Sequence, residues 1–152
     1  MNLFPYARGN CNGGRVRDDE NIEINDMIVR ASVPLNKVVV GVASYGRTFK
    51  MEQAGCDWAM CKFTGSARKS LAAKGLCTDA AGYTSNAEIN EILQNKRVTK
   101  TWTVNSNFIV YNDTGWVAWM GDEFKKKREG IYAWYNFAGT SDWAVDLQSF
   151  SE

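Results

Sequence analysis

The sequence predicts an α/β fold that carries an inserted α+β block. Three observations lead there. A helical periodicity over residues 18–32 runs almost directly into a continuous apolar run at 38–43. A second helix-then-strand pattern closes the chain over 121–147. Between them lie a cysteine- and glycine-bearing stretch, a capped helix and three short strand patterns. Helix followed by strand across a link of a few residues is the unit of α/β proteins, and a mixed block between two such units reads as an insertion.

The elements follow in order. Residues 1–18 are loop-like, because Gly9-Asn10-Cys11-Asn12-Gly13-Gly14 holds regular structure poorly. In the helix over 18–32, Ile24, Met27, Ile28 and Ala31 fall at i, i+3, i+4 and i+7. Asp18, Asp19 and Glu20 suit its positive N-terminus, and Pro34 helps to stop it. Val38 to Ala43 is apolar throughout, which suits a parallel strand buried on both faces. Residues 51–84, with three cysteines and four glycines, read as irregular and cross-linked. Ser85-Asn86-Ala87-Glu88, ahead of Ile89, Ile92 and Leu93, is a capping box opening a helix that runs to about Lys96. Short strands are expected over 101–104, 107–111 and 115–120, with Asn112-Asp113-Thr114-Gly115 as the turn between the last two. A helix over 121–135 and a strand within 137–147 complete the chain.

Composition narrows the function. The 152 residues are 45% apolar and 23% charged, enough for one domain with a real core. A net charge of +1 provides no footprint for nucleic acid or an anionic membrane. No apolar run approaches the length of a membrane span. Met1-Asn2-Leu3-Phe4-Pro5-Tyr6 lacks the basic and apolar regions of a signal peptide. Histidine is absent, so this chain holds no Ser-His-Asp triad, no Cys-His pair and no His-ligated metal. Acid–base work would fall to its 17 carboxylates, to Tyr or to Lys.

The four cysteines are Cys11, Cys56, Cys61 and Cys77. The spacing Cys56-x4-Cys61-x15-Cys77 lacks a fourth local ligand, so no metal and no cofactor is expected. An even count in a Gly-, Asn- and Thr-rich setting fits disulfides and an oxidising compartment. All three pairings remain open, as do free buried thiols.

Tyr45-Gly46-Arg47 follows the strand at 38–43 almost at once. In α/β barrels the residues just past a strand's C-terminal end face the active site, so Tyr45 and Arg47 stand where a ligand is held. Lys37-Val38-Val39-Val40-Gly41-Val42-Ala43-Ser44-Tyr45-Gly46-Arg47 resembles the seventh barrel strand of glycoside hydrolase family 18, the chitinase family. Cys77-Thr78-Asp79-Ala80-Ala81-Gly82-Tyr83, Ala87-Glu88-Ile89, Val110-Tyr111-Asn112-Asp113 and Trp116-Val117-Ala118 resemble its α+β insertion between strands seven and eight. Gly139-Thr140-Ser141-Asp142-Trp143-Ala144-Val145-Asp146-Leu147 is similar to the eighth strand with its sugar-stacking Trp. The cysteine-rich insertion and the Gly-Thr-Ser-Asp-Trp-Ala form are most similar to secreted fungal chitinases related to killer-toxin subunits.

The resemblance implies a partial (β/α)8 barrel. Residues 1–50 would form the penultimate helix–strand unit, 51–120 the insertion domain and 121–152 the last unit. The family's catalytic Asp-x-x-Asp-x-Asp-x-Glu run and the Tyr-Asp pair of its sixth strand do not occur in this sequence. A complete barrel takes about 250 residues. No catalytic residue is therefore assigned here, and the chain alone is expected to be inactive. The resemblance implies a chitinase-like hydrolase of β-1,4-linked N-acetylglucosamine, with chitin or chitooligosaccharides as ligand and the N-terminal part of the barrel as partner. It also implies an extracellular location. The alternative is a stand-alone secreted carbohydrate-binding or effector module.

The substrate-binding candidates are Tyr45, Arg47 and Trp143. Arg47 offers five donors in a planar fork to sugar hydroxyls and acetamido oxygens; its competing role is a salt bridge, with Glu88 the partner to consider. Tyr45 would bond or stack on a sugar, against a buried Tyr with a satisfied hydroxyl. Trp143 would stack on a pyranose, against plain core packing. Glu88 and Asp113 are cleft or structural candidates, with the capping box and the turn as their first assignments. Trp102, Trp116, Trp119 and Trp134 are left to packing or to the insertion wall. Lys125-Lys126-Lys127-Arg128 is read as a solvated helix face.

Overall fold

The computed structural model describes residues 31–56, 60–66, 69–94, 98–103 and 106–149. The helix expected over 18–32 lies outside them but for its last two residues, and Cys11 lies outside them altogether. In chain order the elements are β1 (Val39–Ala43), β2 (Tyr45–Lys50), β3 (Gly65–Ser66), β4 (Lys69–Ser70), β5 (Tyr83–Ser85), α1 (Asn86–Gln94), β6 (Val98–Thr103), β7 (Asn107–Tyr111), β8 (Gly115–Trp119), α2 (Asp122–Trp134) and β9 (Gly139–Trp143). Single 3-10 turns, Leu35–Lys37 and Val145–Leu147, precede β1 and follow β9.

Two sheets organise the molecule. β1 and β9 pair in parallel, Val39 opposite Gly139 through Ala43 opposite Trp143. β5, β2, β8, β7 and β6, in that order, form an antiparallel sheet, and β3 and β4 add a small hairpin. The antiparallel sheet is covered on both faces. Along β7, Phe108 and Val110 join Phe49, Met51, Cys61, Phe63 and Trp116 in one cluster. Ile109 and Tyr111 turn the other way and pack with Val117 and Ile89 of α1. This period-two division places α1 on one face and Met51, Cys56, Cys61 and Phe63 on the other. A disulfide joins Cys56 to Cys61, and Cys77 is a free, exposed thiol.

Sequence and structure differ at four places. Residues 45–50, read as the end of the first unit, are strand β2, paired with β8 and β5 of the antiparallel sheet. Gly46 inside this strand lowers its local propensity, yet a Cβ there would lie 2.7 Å from Val117 and 2.8 Å from Ile89. Packing of α1 requires the glycine. The stretch 51–84 contains β3, β4 and β5 rather than being irregular throughout. β6 starts three residues early, at Val98. The last strand ends at Trp143, because residues 145–147 turn into a 3-10 helix.

α1 begins as the capping box specifies. Ser85 Oγ accepts the Glu88 N–H at 3.1 Å, and Glu88 Oε2 accepts the Ser85 N–H at 3.0 Å. The β7–β8 turn uses Asn112 and Asp113 at positive φ, which short polar side chains tolerate. α2 ends in Asn136 at φ 59°, a left-handed residue just past the helix.

Candidate functional site

The C-terminal ends of β1 and β9 lie side by side, and Ser44 joins them to the antiparallel sheet. Its N–H donates to the Trp143 carbonyl at 2.9 Å and its carbonyl accepts the Asn86 N–H at 3.0 Å. β2 starts one residue later and carries Tyr45 and Arg47.

Face assignments follow from alternation. Asp142 bonds Lys125 of α2, so it points to the helix layer. Trp143, its neighbour on β9, points to the opposite face. That face also carries Val39, Gly41 and Ser141, all exposed. Trp143 is 72% exposed, so it is not a core residue of this chain.

Tyr45, Arg47 and Tyr83 form a second surface on β2 and β5. Arg47 is the register partner of Tyr83 across β2 and β5. The Arg47 guanidinium stands 5.5 Å from the centre of the Tyr45 ring, and the Tyr45 and Tyr83 rings are 5.0 Å apart. Burial raises the Tyr83 hydroxyl above its ordinary value, the negative charge of Asp146 adds to this, and Arg47 opposes it. The Asp146 carboxylate is thus felt at the Tyr83 hydroxyl. Neither was singled out in the sequence; the one signal for Tyr83 is its pairing opposite Arg47, which needs the sheet register.

Glu88 lies elsewhere, under the 75–78 loop. It is only 4% exposed and accepts six hydrogen bonds. Oε1 takes the N–H groups of Cys77 and Thr78 at 2.8 and 3.1 Å. Oε2 takes the hydroxyls of Thr78, Thr84 and Ser85 and the N–H of Ser85, each at 3.0 Å. Burial would raise its pKa, but the N–H groups of Ser85, Thr78 and Cys77 and the Thr84 hydroxyl win and bring it to about 2. Such a carboxylate stays ionised and holds no proton to give. A cleft of about 220 Å³, lined in part by Gly75, Leu76, Glu91 and Tyr111, opens beside it. Asp113 sits in the β7–β8 turn, at the Lys50 end of β2 and a strand's length from Tyr45; its carbonyl accepts the Gly55 N–H at 2.8 Å.

The lysine run is divided. Lys127 pairs with Glu123 in solvent, and Lys126 is exposed. Lys125, by contrast, is buried: its Nζ donates to Ser44 Oγ at 2.9 Å and to Asp142 Oδ2. Burial pushes the Asp142 carboxyl up, but Lys125, the Ser44 hydroxyl and the Gln148 amide together hold it below the usual aspartate range. The reading of the run as a solvated face is corrected at this position.

Known proteins resemble this arrangement in sequence and in shape. Secreted chitinase LysM12 of Penicillium expansum is 46% identical over 149 residues, which is 95% of this chain and 10% of that protein. Killer toxin subunits alpha/beta of Kluyveromyces lactis are 31% identical over 158 residues, 99% of this chain and 13% of that protein. The Ostrinia furnacalis Group IV chitinase superposes with a TM-score of 0.75 at 20% identity, covering 91% of this chain and 38% of that one. A class V chitinase from Nicotiana tobaccum in complex with NAG4 gives 0.64 at 17% identity, over 79% and 33%. No protein-family model matches the chain. The fold is that of the chitinase structures, and the relatives in sequence include chitinases. More narrowly, the chain belongs to glycoside hydrolase family 18, in the fungal type that includes killer-toxin subunits. It spans about one tenth of the length of these curated relatives.

Proposed function

We propose that this chain supplies one wall of a chitooligosaccharide-binding cleft in a chitinase-like glycoside hydrolase. Its β1–β9 pair would be the last two strands of a (β/α)8 barrel, and the antiparallel sheet the insertion between them. The division would then fall at Ser44 rather than at residue 50. The remaining barrel strands, from a segment outside this chain, would pair with the outer edges of β1 and β9 and close the open face. The similarity to a secreted chitinase of Penicillium expansum supports an extracellular location.

One observation carries the reading: Trp143, 72% exposed, stands on the open face at the C-terminal end of the parallel pair, next to the start of the Tyr45–Arg47–Tyr83 surface. An indole there can cover the apolar face of a pyranose. Arg47, with its guanidinium already oriented over Tyr45, can reach hydroxyl and acetamido oxygens. In the complete enzyme a glutamic acid would protonate the glycosidic oxygen while the substrate's own N-acetyl oxygen attacks the anomeric carbon, the substrate-assisted route among glycosidases. Glu88 does not serve as that acid, since its oxygens are saturated by donors and its pKa is about 2. The chain's contribution is to bind and orient sugar.

Titration with chitotetraose, followed by tryptophan fluorescence, tests this. Trp143→Ala should weaken binding by about 1 kcal/mol or more, roughly fivefold. Lys126→Ala should stay within about 0.5 kcal/mol. Equal affinity in both variants, each folded by circular dichroism, removes Trp143 from the site.

A further inference from the structure

We propose that Ser44, Asp142 and Lys125 form a positioning lock that sets the direction of the Trp143 indole relative to the Tyr45–Arg47 surface. The inference rests on the cleft reading above for its purpose, and on the following contacts for its existence.

Ser44 is fully buried and uses every hydrogen-bonding group it has. The backbone holds Trp143 and Asn86, as described. The hydroxyl donates to Asp142 Oδ1 at 2.6 Å and accepts from Lys125 Nζ at 2.9 Å. One residue thus ties β9, α1 and α2 together at the point where β1 passes into β2. Asp142 is bound from three sides, with Lys125 and Gln148 both on Oδ2. The Gln148 contact also clasps the turn that follows Trp143.

Geometry makes this a statement about Trp143. Asp142 and Trp143 leave β9 on opposite faces, so fixing one carboxylate in three contacts fixes the rotation of the strand end. That rotation aims the indole. The same serine starts β2, so the Tyr45–Arg47 surface is referred to the same anchor. A buried Lys–Asp pair is a poor way to gain stability, because desolvation offsets most of the attraction and an apolar pair of similar volume does as well or better. It is a good way to gain direction, because its hydrogen bonds have one geometry. Asp142 and Lys125 are thus positioning residues acting through Trp143. They do not touch sugar.

The test replaces direction by grease. Lys125→Met/Asp142→Leu keeps volume and removes the charges together, so the chain should fold. Ser44→Ala is the second variant; it cuts the tie to β1 while leaving the ion pair. Chains are labelled with 5-fluorotryptophan, and the Trp143 resonance is assigned with Trp143→Phe. The unmodified chain should give one narrow Trp143 resonance. Both variants should shift or split it, and the chitotetraose dissociation constant should rise severalfold, up to the roughly fivefold loss expected of Trp143→Ala. Lys125→Arg, which keeps charge and donors, should restore most of the native resonance. A folded variant of either kind whose Trp143 resonance is native in shift and width overturns the lock. Should the unmodified chain bind no chitotetraose, the cleft reading falls, and the resonance alone still decides the lock.

Discussion

Removing the negative charge of Glu88 should cost this fold about 3 kcal/mol at neutral pH. The carboxylate accepts six hydrogen bonds while 4% exposed, and they hold its pKa at about 2 against an ordinary 4.5. At about 1.4 kcal/mol per pH unit, that difference is about 3 kcal/mol of stability linked to ionisation. The sign follows from the direction. The native state binds the proton more weakly than the unfolded chain does, so the stabilisation is complete above about pH 4.5 and disappears as pH falls towards 2. Glu88→Gln keeps the volume but turns an NH2 group towards donors. Its stability should be lower by about 3 kcal/mol at pH 7, and should fall less steeply than that of the native chain between pH 4.5 and 2, so that the gap narrows. Urea denaturation of both chains, followed by tryptophan fluorescence at pH 7, 4, 3 and 2.5, measures the difference. Parallel pH profiles, or equal stability at pH 7, would refute the linkage of this charge to the fold.

Three further outcomes are expected. Gly46→Ala places a methyl 2.7 Å from Val117 and 2.8 Å from Ile89, and should destabilise by about 1–3 kcal/mol in the same denaturation assay. Replacing Cys56 and Cys61 together by Ala opens a loop of sequence separation 5 and should lower the unfolding free energy by about 2 kcal/mol; reducing agent should then have no further effect, unlike in the native chain. The 152-residue chain should release no reporter from a chitotriose glycoside above a mock purification, since general acid catalysis contributes about 10²–10⁴-fold and the Asp-x-x-Asp-x-Asp-x-Glu run does not occur in this sequence.

Local chemistry was legible and long-range chemistry was not. The capping box at Ser85 and Glu88 needs only a spacing of three, and both reciprocal bonds form. The Asn112-Asp113 turn and α2 were visible for the same reason. β2 was hidden because Gly46 breaks the strand pattern, and its reason lies in Ile89 on another element. Lys125 looked like its neighbours because nothing within a turn of helix distinguishes it. Its partners are Asp142, 17 residues on, and Ser44, 81 residues back. For Glu88 the local cap was foreseen, but its donors at Cys77 and Thr78 depend on how the 75–78 loop folds over it. Tyr45, Arg47 and Trp143 became candidates through strand-end placement and family resemblance. Tyr83 became one only once the register set it opposite Arg47.

Asn86 has a consequence for how this architecture can be cut and rejoined. Its N–H holds the Ser44 carbonyl at 3.0 Å and its side-chain amide holds the Met120 carbonyl at 3.2 Å. The chain therefore enters the antiparallel sheet and leaves it at neighbouring points, both clipped to the first residue of one helix. A segment whose ends meet is modular: a short glycine linker from Ser44 to Gly121 would span the gap at little closure entropy. The excised piece, with an aromatic cluster on one face and α1 on the other, carries its own two-sided core. Evolution could lengthen, shorten or exchange such a piece without disturbing the strands beneath it.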